Sequence, residues 1–260
     1  MADKADGRIV WFDLMTSDPD AAIDFYKDVV GWDTIVWGGD AANANYRMWT
    51  VGETTIGGVM TLPEEAAAGG APPSWMAYVG TADIDGSVKR IQELGGRILH
   101  PPTVIPTVGR FAVCADPQGA VFAVFEAAAD APGHDSDPKL GEFSWHELVT
   151  TEFRAAFDFY SKLFGWESMQ EMDMGPAGIY LLYGRNGRQL GGIFNKTPDM
   201  PMPPMWLEYV LVDDVHRAAE KVTAAGGKVL HGPMEVPGGD FIIQCMDPQG
   251  AMFAMHSRAS

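Results

Sequence analysis

Apolar and polar positions along this chain fall into short alternating runs broken by helical spacing, and the pattern occurs four times. Residues 8–15, Arg-Ile-Val-Trp-Phe-Asp-Leu-Met, read as a strand. Asp18-Pro19-Asp20 then opens a helix, because Asp caps, Pro suits the first turn and acids suit the positive helix end. Ala21, Ala22, Phe25, Tyr26, Val29 and Val30 recur at helical spacing until Gly31 stops the run. Strand-like runs at 33–37, 46–51 and 55–62 complete a β-α-β-β-β unit. A Pro- and Gly-rich loop, 63–73, leads to a second unit: a strand at 75–81, a helix at 85–94 ended by Gly95-Gly96, and strands at 97–100, 110–114 and 121–126.

The last hairpin of this half is closed by Asp116-Pro117-Gln118-Gly119, and the same turn returns as Asp247-Pro248-Gln249-Gly250. Pro presets φ and Gly supplies the positive φ of a tight turn. The duplication extends through Tyr26 and Tyr160, Gly31-Trp32 and Gly165-Trp166, Gly57-Gly58 and Gly191-Gly192, Trp75 and Trp206, and His100 and His231. The offset is 160 − 26 = 134 early and 247 − 116 = 131 late, so the length change falls in the loop before the strand of Trp75, where it does least harm. The repeat therefore predicts an α+β protein of two tandem domains, residues 1–126 and 142–260, joined by a linker at 127–141 rich in Ala, Asp, Pro and Gly.

Composition narrows the function. A net charge of −17 over 260 residues argues against nucleic acid or an anionic membrane surface, both of which need clustered Lys and Arg. No apolar run is long enough to span a bilayer, and the start lacks a basic then apolar leader, so a cytoplasmic location is expected. The two cysteines, Cys114 and Cys245, occupy equivalent positions two residues before each turn and read as buried thiols.

Asp-Pro-x-x-Ala-x-x-Phe-Tyr at 18–26 with Gly-Trp after it, Gly-Gly closing the second helix, and Asp-Pro-x-Gly before the last strand resemble the vicinal oxygen chelate superfamily. That superfamily holds glyoxalase I, extradiol dioxygenases, and fosfomycin and bleomycin resistance proteins; the look is of a tandem glyoxalase-like member. The resemblance implies that each pair of βαβββ modules forms a curved eight-stranded mixed sheet, with helices on the convex side and a small-molecule site on the concave one. It also implies a divalent metal held by His, Glu or Gln. The corresponding positions here are Trp11 and Trp145 on the first strand, Met76 and Leu207 on the fifth, and Ala123 and Ala254 on the last. The fourth strand offers only Gln189 and Asn195. Trp, Met, Leu and Ala supply no N or O donor, so no metal ligand and no cofactor is expected.

Strand alternation assigns the pocket lining: Trp11, Met15, Met76, Tyr78 and Phe125 in the first half, and Trp145, Leu207, Tyr209 and Met252 in the second. Asp13 and Glu147 are the candidate catalytic carboxylates, each either a carboxylate of raised pKa among aromatics, acting as base or as acceptor for a ligand hydroxyl or amine, or a group bonded to Tyr78 or Tyr209 or to backbone at a strand end. His256, present only in the second half opposite Phe125, is the third catalytic candidate. His146 faces away from Glu147, and His100 and His231 recur at strand ends, as structural groups would. Residues 199–205, Asp-Met-Pro-Met-Pro-Pro-Met, read as a lid or as packed loop. The expected function is binding of an apolar or aromatic metabolite or drug, by a monomer of two pseudo-symmetric domains or a homodimer. The alternative is a lactoylglutathione lyase-like or dioxygenase-like enzyme using Glu147 and His256, with a divalent metal only in that case.

Overall fold

The computed structural model describes residues 5–38 and 46–259. The first four residues, read above as part of a start without a leader, lie outside the described residues. In the first half, β1 (Ile9–Thr16), α1 (Pro19–Val29), β2 (Asp33–Val36), β3 (Arg47–Val51) and β4 (Thr54–Thr61) form one module. The next comprises β5 (Ser74–Gly80), α3 (Ile84–Glu93), β6 (Arg97–Ile105), β7 (Gly109–Ala115) and β8 (Val121–Ala127), with a short helix α2 (Glu64–Ala68) before it. The second half repeats this as β9 (Phe143–Thr150), α4 (Phe153–Phe164), β10 (Glu167–Asp173), β11 (Ile179–Arg185) and β12 (Arg188–Asn195), then β13 (Met205–Leu211), α5 (Val215–Ala224), β14 (Lys228–Glu235), β15 (Phe241–Met246) and β16 (Met252–Ser257).

Two eight-stranded mixed sheets result, ordered β2-β3-β4-β1-β5-β8-β7-β6 and β10-β11-β12-β9-β13-β16-β15-β14. Within each module the first strand pairs parallel to the last, Asp13 opposite Gly58 and Glu147 opposite Gly192, and the remaining ladders are antiparallel. This is the α+β tandem architecture that the repeat predicts. Asp18 caps α1 by accepting from the Ala21 N–H at 3.1 Å, with Pro19 in the first turn. Glu152 makes no such bond at α4, where Asn195 Oδ1 instead accepts from the Phe153 N–H at 2.6 Å.

Two segments differ from the pattern read in the sequence. β6 continues through Pro101 and Pro102 to Ile105, because it is an edge strand, where a missing N–H breaks no ladder, and bulges flank His100. The loop at 63–73 contains α2, whose first turn carries Glu64 and Glu65.

By Cα proximity the described residues group into two compact units that interleave the sequence halves. One takes its residues from Met1–Trp11, Ala77–Asp135 and Trp145–Trp206, and so combines α3 and β6–β8 with α4 and β10–β12. Its core includes Ile84, Ile91, Phe122, Phe159, Tyr160, Trp166, Tyr183 and Trp206. The other, from Phe12–Met76, Ser136–Ser144 and Leu207–Ser260, combines α1 and β2–β4 with α5 and β14–β16. It buries Tyr26, Trp32, Trp49, Trp75 and Phe253 in edge and tilted ring contacts, with Phe12 stacked on Phe143 at 3.8 Å.

Each unit is braced by the turn that closes a hairpin. In the first, Asp116 Oδ1 accepts from the N–H groups of Gln118, Gly119 and Ala120 at 2.7–2.9 Å. Its other oxygen accepts from the Tyr160 hydroxyl at 3.1 Å, and that hydroxyl accepts from Trp206 Nε1 at 3.0 Å. In the second unit the same roles fall to Asp247, Tyr26 and Trp75, at 3.2 and 2.9 Å. Tyr26 and Tyr160 are fully buried, as their core spacing predicts. Burial pushes the Asp116 and Asp247 carboxyls up, and the hydrogen bonds they accept pull the other way.

Candidate functional site

A carboxylate and a tyrosine meet on the inner strands of each sheet. In one unit β1 carries Asp13, 5% exposed, opposite Gly58 on β4, and Tyr46, just before β3, donates its hydroxyl to Asp13 Oδ1 at 2.6 Å. In the other, β9 carries Glu147, 6% exposed, opposite Gly192 on β12, and Tyr180 on β11 donates to Glu147 Oε1 at 2.8 Å. Glycine is required under the ring: a Cβ at Gly58 would collide with Tyr46, and one at Gly192 with Tyr180. The preceding Gly57 and Gly191 face the carbonyls of Phe12 and His146 just as closely, so β4 and β12 lie hard against β1 and β9.

The Glu147 pair extends to a tryptophan. Trp145 Nε1 donates to the Tyr180 hydroxyl at 2.9 Å, and the Tyr180 ring stacks on Phe194 at 5.8 Å. Trp145 is half-buried, so an indole edge, a phenol and a carboxylate adjoin at one place. A carboxylate hydrogen-bonded to a phenol can take a proton from, or accept a bond from, a ligand hydroxyl; the aromatic flank favours a planar apolar body.

The other site candidates fall as follows. Trp11 and Met15 are half-buried on β1; Met76 and Tyr78 are buried on β5, with Tyr78 against Phe111 at 6.2 Å, and Phe125 is buried on β8. Leu207 and Tyr209 are buried on β13, the Tyr209 hydroxyl accepting from Gln244 Nε2 at 2.9 Å, and Met252 is half-buried on β16. Tyr46, just before the third strand of its module, and Tyr180, on the third strand of its own, are thus hydrogen-bond partners of Asp13 and Glu147. Their signal was in the repeat, since Tyr46 and Tyr180 are 134 residues apart, as are Tyr26 and Tyr160.

His256 belongs to the other compact unit from Glu147. Its ring lies between Ser144 Oγ, 3.0 Å from Nδ1, and Asp240 Oδ2, 2.8 Å from Nε2. His100 stacks on Phe111 and reaches the Thr103 hydroxyl, both local contacts at the sheet edge. In the 199–205 segment, the Met202 carbonyl accepts from Lys196 Nζ at 2.6 Å. Among the described residues no three His, Cys, Asp or Glu side chains come together as a metal ion would need. Asn195 is occupied as the α4 cap and Gln189 is exposed. No helix among the described residues is long and apolar enough to cross a membrane.

Comparison with known proteins agrees with this architecture. "Putative glyoxylase CFP32" of Mycobacterium bovis is 31% identical over 249 residues, covering 94% of this chain and 92% of that protein. The anthracycline biosynthesis protein DnrV of Streptomyces peucetius is 29% identical over 262 residues, covering 96% and 93%. Among solved structures, the Mn(II)-bound glyoxalase from Novosphingobium aromaticivorans superposes with a TM-score of 0.63 at 16% identity, over 100% of this chain and 84% of that one. The homoprotocatechuate 2,3-dioxygenase of Brevibacterium fuscum superposes at 0.68 with 14% identity, over 97% and 81%. A family profile matches residues 8–124 and again 142–255, so this chain belongs to the Glyoxalase/Bleomycin resistance protein/Dioxygenase superfamily.

Proposed function

We propose that the protein binds a hydroxylated aromatic small molecule without a metal ion, and that the Trp145–Tyr180–Glu147 group recognises it. The observation that carries this reading is that both halves build a carboxylate–tyrosine pair over a glycine at the same strand positions. At the positions where the family's metal ligands would stand, the chain carries Trp11 and Trp145, Met76 and Leu207, and Ala123 and Ala254. The apolar metal positions and the aromatic flank together favour binding over metal chemistry, with the carboxylate and phenol as polar anchors for a ligand hydroxyl. The relative named for anthracycline biosynthesis supports a polycyclic phenol as the ligand class.

The reading is tested with protein purified without chelator, titrated with a polyhydroxylated anthraquinone and followed by quenching of tryptophan emission. A bond to a charged group contributes about 1.5–3 kcal/mol, so Glu147→Gln or Tyr180→Phe should each weaken binding roughly tenfold to a hundredfold. One tightly held divalent ion per sheet in native mass spectra, or no saturable quenching, overturns the reading. Metal-dependent lyase or ring-cleaving turnover lost on Glu147→Ala would establish the enzymatic alternative in its place.

A further inference from the structure

A second polar cluster stands apart from the carboxylate–tyrosine pairs, wholly within the unit of α1 and α5. Asp240, just before β15, accepts at Oδ2 from His256 Nε2 at 2.8 Å, and its Oδ1 accepts from the Ala259 N–H at 2.8 Å. With an ionised carboxylate on Nε2, that nitrogen carries the proton of the neutral imidazole. Nδ1 is then the lone-pair nitrogen, and Ser144 Oγ lies 3.0 Å from it. The Asp240 carboxyl is suited to this role. Partial burial pushes it up, but the bonds from His256 and the Ala259 N–H outweigh burial and hold it below its ordinary range. Ser144 is half-buried, and the His256 side chain is 17% exposed, so neither is sealed in the core.

The duplication supplies a control. At the equivalent positions the first half has Val10 for Ser144, Phe125 for His256 and Gly109 for Asp240. There a Cβ at Gly109 would meet the Phe125 ring at 2.9 Å, so the same two positions adjoin in both halves, once as apolar packing and once as a hydrogen bond between imidazole and carboxylate. The fold therefore does not require a polar trio at this place. A hydroxyl, an imidazole and a carboxylate in series at 3.0 and 2.8 Å form the arrangement that activates a nucleophile, here with the two imidazole nitrogens exchanged relative to the familiar hydrolase order.

We infer that Ser144, His256 and Asp240 form an acyl-transfer site that accepts small activated carboxylic esters. Ser144 Oγ attacks the ester carbonyl carbon while its proton passes to His256 Nδ1. The ester C–O bond breaks, and the departing alcohol takes that proton. Water then repeats the sequence, its proton passing through the same imidazole as the acyl oxygen bond to Ser144 breaks, which releases the carboxylic acid. Asp240 is a positioning residue that fixes the ring and its tautomer. The Tyr209 carbonyl, 3.3 Å from Ser144 Oγ, is the competing acceptor for the serine proton, and the site is in its reactive form when the hydroxyl turns to the imidazole.

The test uses the full chain and p-nitrophenyl acetate, with intact mass and peptide mapping after an acid quench. Acetylation should map to Ser144, vanish in Ser144→Ala, and slow roughly a hundredfold or more in His256→Phe, the loss typical of removing a general base. Phe is the residue that the first half carries at this position, so His256→Phe should keep the parental circular dichroism; His256→Gln serves if it does not. Asp240→Asn should lower the acylation rate with KM unchanged. The proposal is overturned if folded protein carries no acetyl group on Ser144, or if Ser144 acetylates as fast in the folded His256 variants as in the parent. Because the readout is a covalent mark on Ser144, its failure leaves the aromatic-ligand reading untouched.

Discussion

Removing the hydroxyl of Tyr160 tests whether the turn-to-helix brace holds its unit together. In Tyr160→Phe the ring and its contacts with Phe159, Trp166 and Trp206 remain. What is lost is the acceptor for Trp206 Nε1 and the donor to Asp116 Oδ2, both buried. A buried polar group stripped of its partner costs about 1–3 kcal/mol, more when charged. Asp116 Oδ1 keeps its three backbone donors, which limits the carboxylate's share. The expected loss is about 2–4 kcal/mol, and Tyr26→Phe should lose as much through Asp247 and Trp75. Urea unfolding measures it as a shift of midpoint at unchanged slope. The double variant Tyr160→Phe/Trp206→Phe should lose less than the two singles together, by about 1 kcal/mol, since both remove one bond. The deficit also carries a pH signature. The folded-state pKa of Asp116 is raised, so the folded state binds more protons than the unfolded one. Its ionisation is a penalty that is present at neutral pH and eases as pH falls through the raised pKa toward the unfolded value. Tyr160 donates to the charged form and pulls that pKa down, so the variant's deficit should shrink on acidification. A loss under about 0.5 kcal/mol at neutral pH, or one that grows on acidification, refutes the reasoning.

Two further outcomes follow from the glycines and thiols. Gly192→Ala forces the Tyr180 ring off its seat, which should cost about 1–3 kcal/mol by thermal melting and abolish quenching by the anthraquinone, because the ring can no longer reach Glu147. Cys114 and Cys245 should stay unmodified by a disulfide reagent at neutral pH in the native protein and react once it unfolds, because burial pushes both thiols up to about 12.

Much of the fold was legible because the local signals agree with one another and recur. Asp18 with Pro19, Gly31, the paired glycines and both Asp-Pro-Gln-Gly turns each dictate a local backbone geometry, and the strands between them alternate. Pro101 reads as the end of β6, yet the strand runs on to Ile105 because at a sheet edge its vacant N–H side faces no neighbour. The interleaving of modules was not legible at all. Periodicity shows that Tyr160 has a buried face, but not that the acceptor on that face is an aspartate 44 residues earlier, across the linker. Site residues suffered from the same limit. Alternation places Asp13 and Glu147 on the first strand of each half, yet their bonds to Tyr46 and Tyr180 depend on a register that only the paired backbone reveals.

The repeat sorts what the fold needs from what the chain has added. A feature demanded by packing should occur in both halves, and the Trp–Tyr–Asp brace does, with its tyrosines fully buried. The carboxylate–tyrosine pairs also occur twice, but their details diverge. One half uses Asp13 and the other Glu147, a methylene longer. Under the proposed reading, the change from Asp to Glu over a preserved glycine seat would fit the two pairs to different ligands. The Ser144–His256–Asp240 trio occurs once, in place of Val10, Phe125 and Gly109. An apolar solution already exists within the same molecule, so three polar side chains at that spot require a reason beyond packing, and chemistry at the serine hydroxyl supplies one.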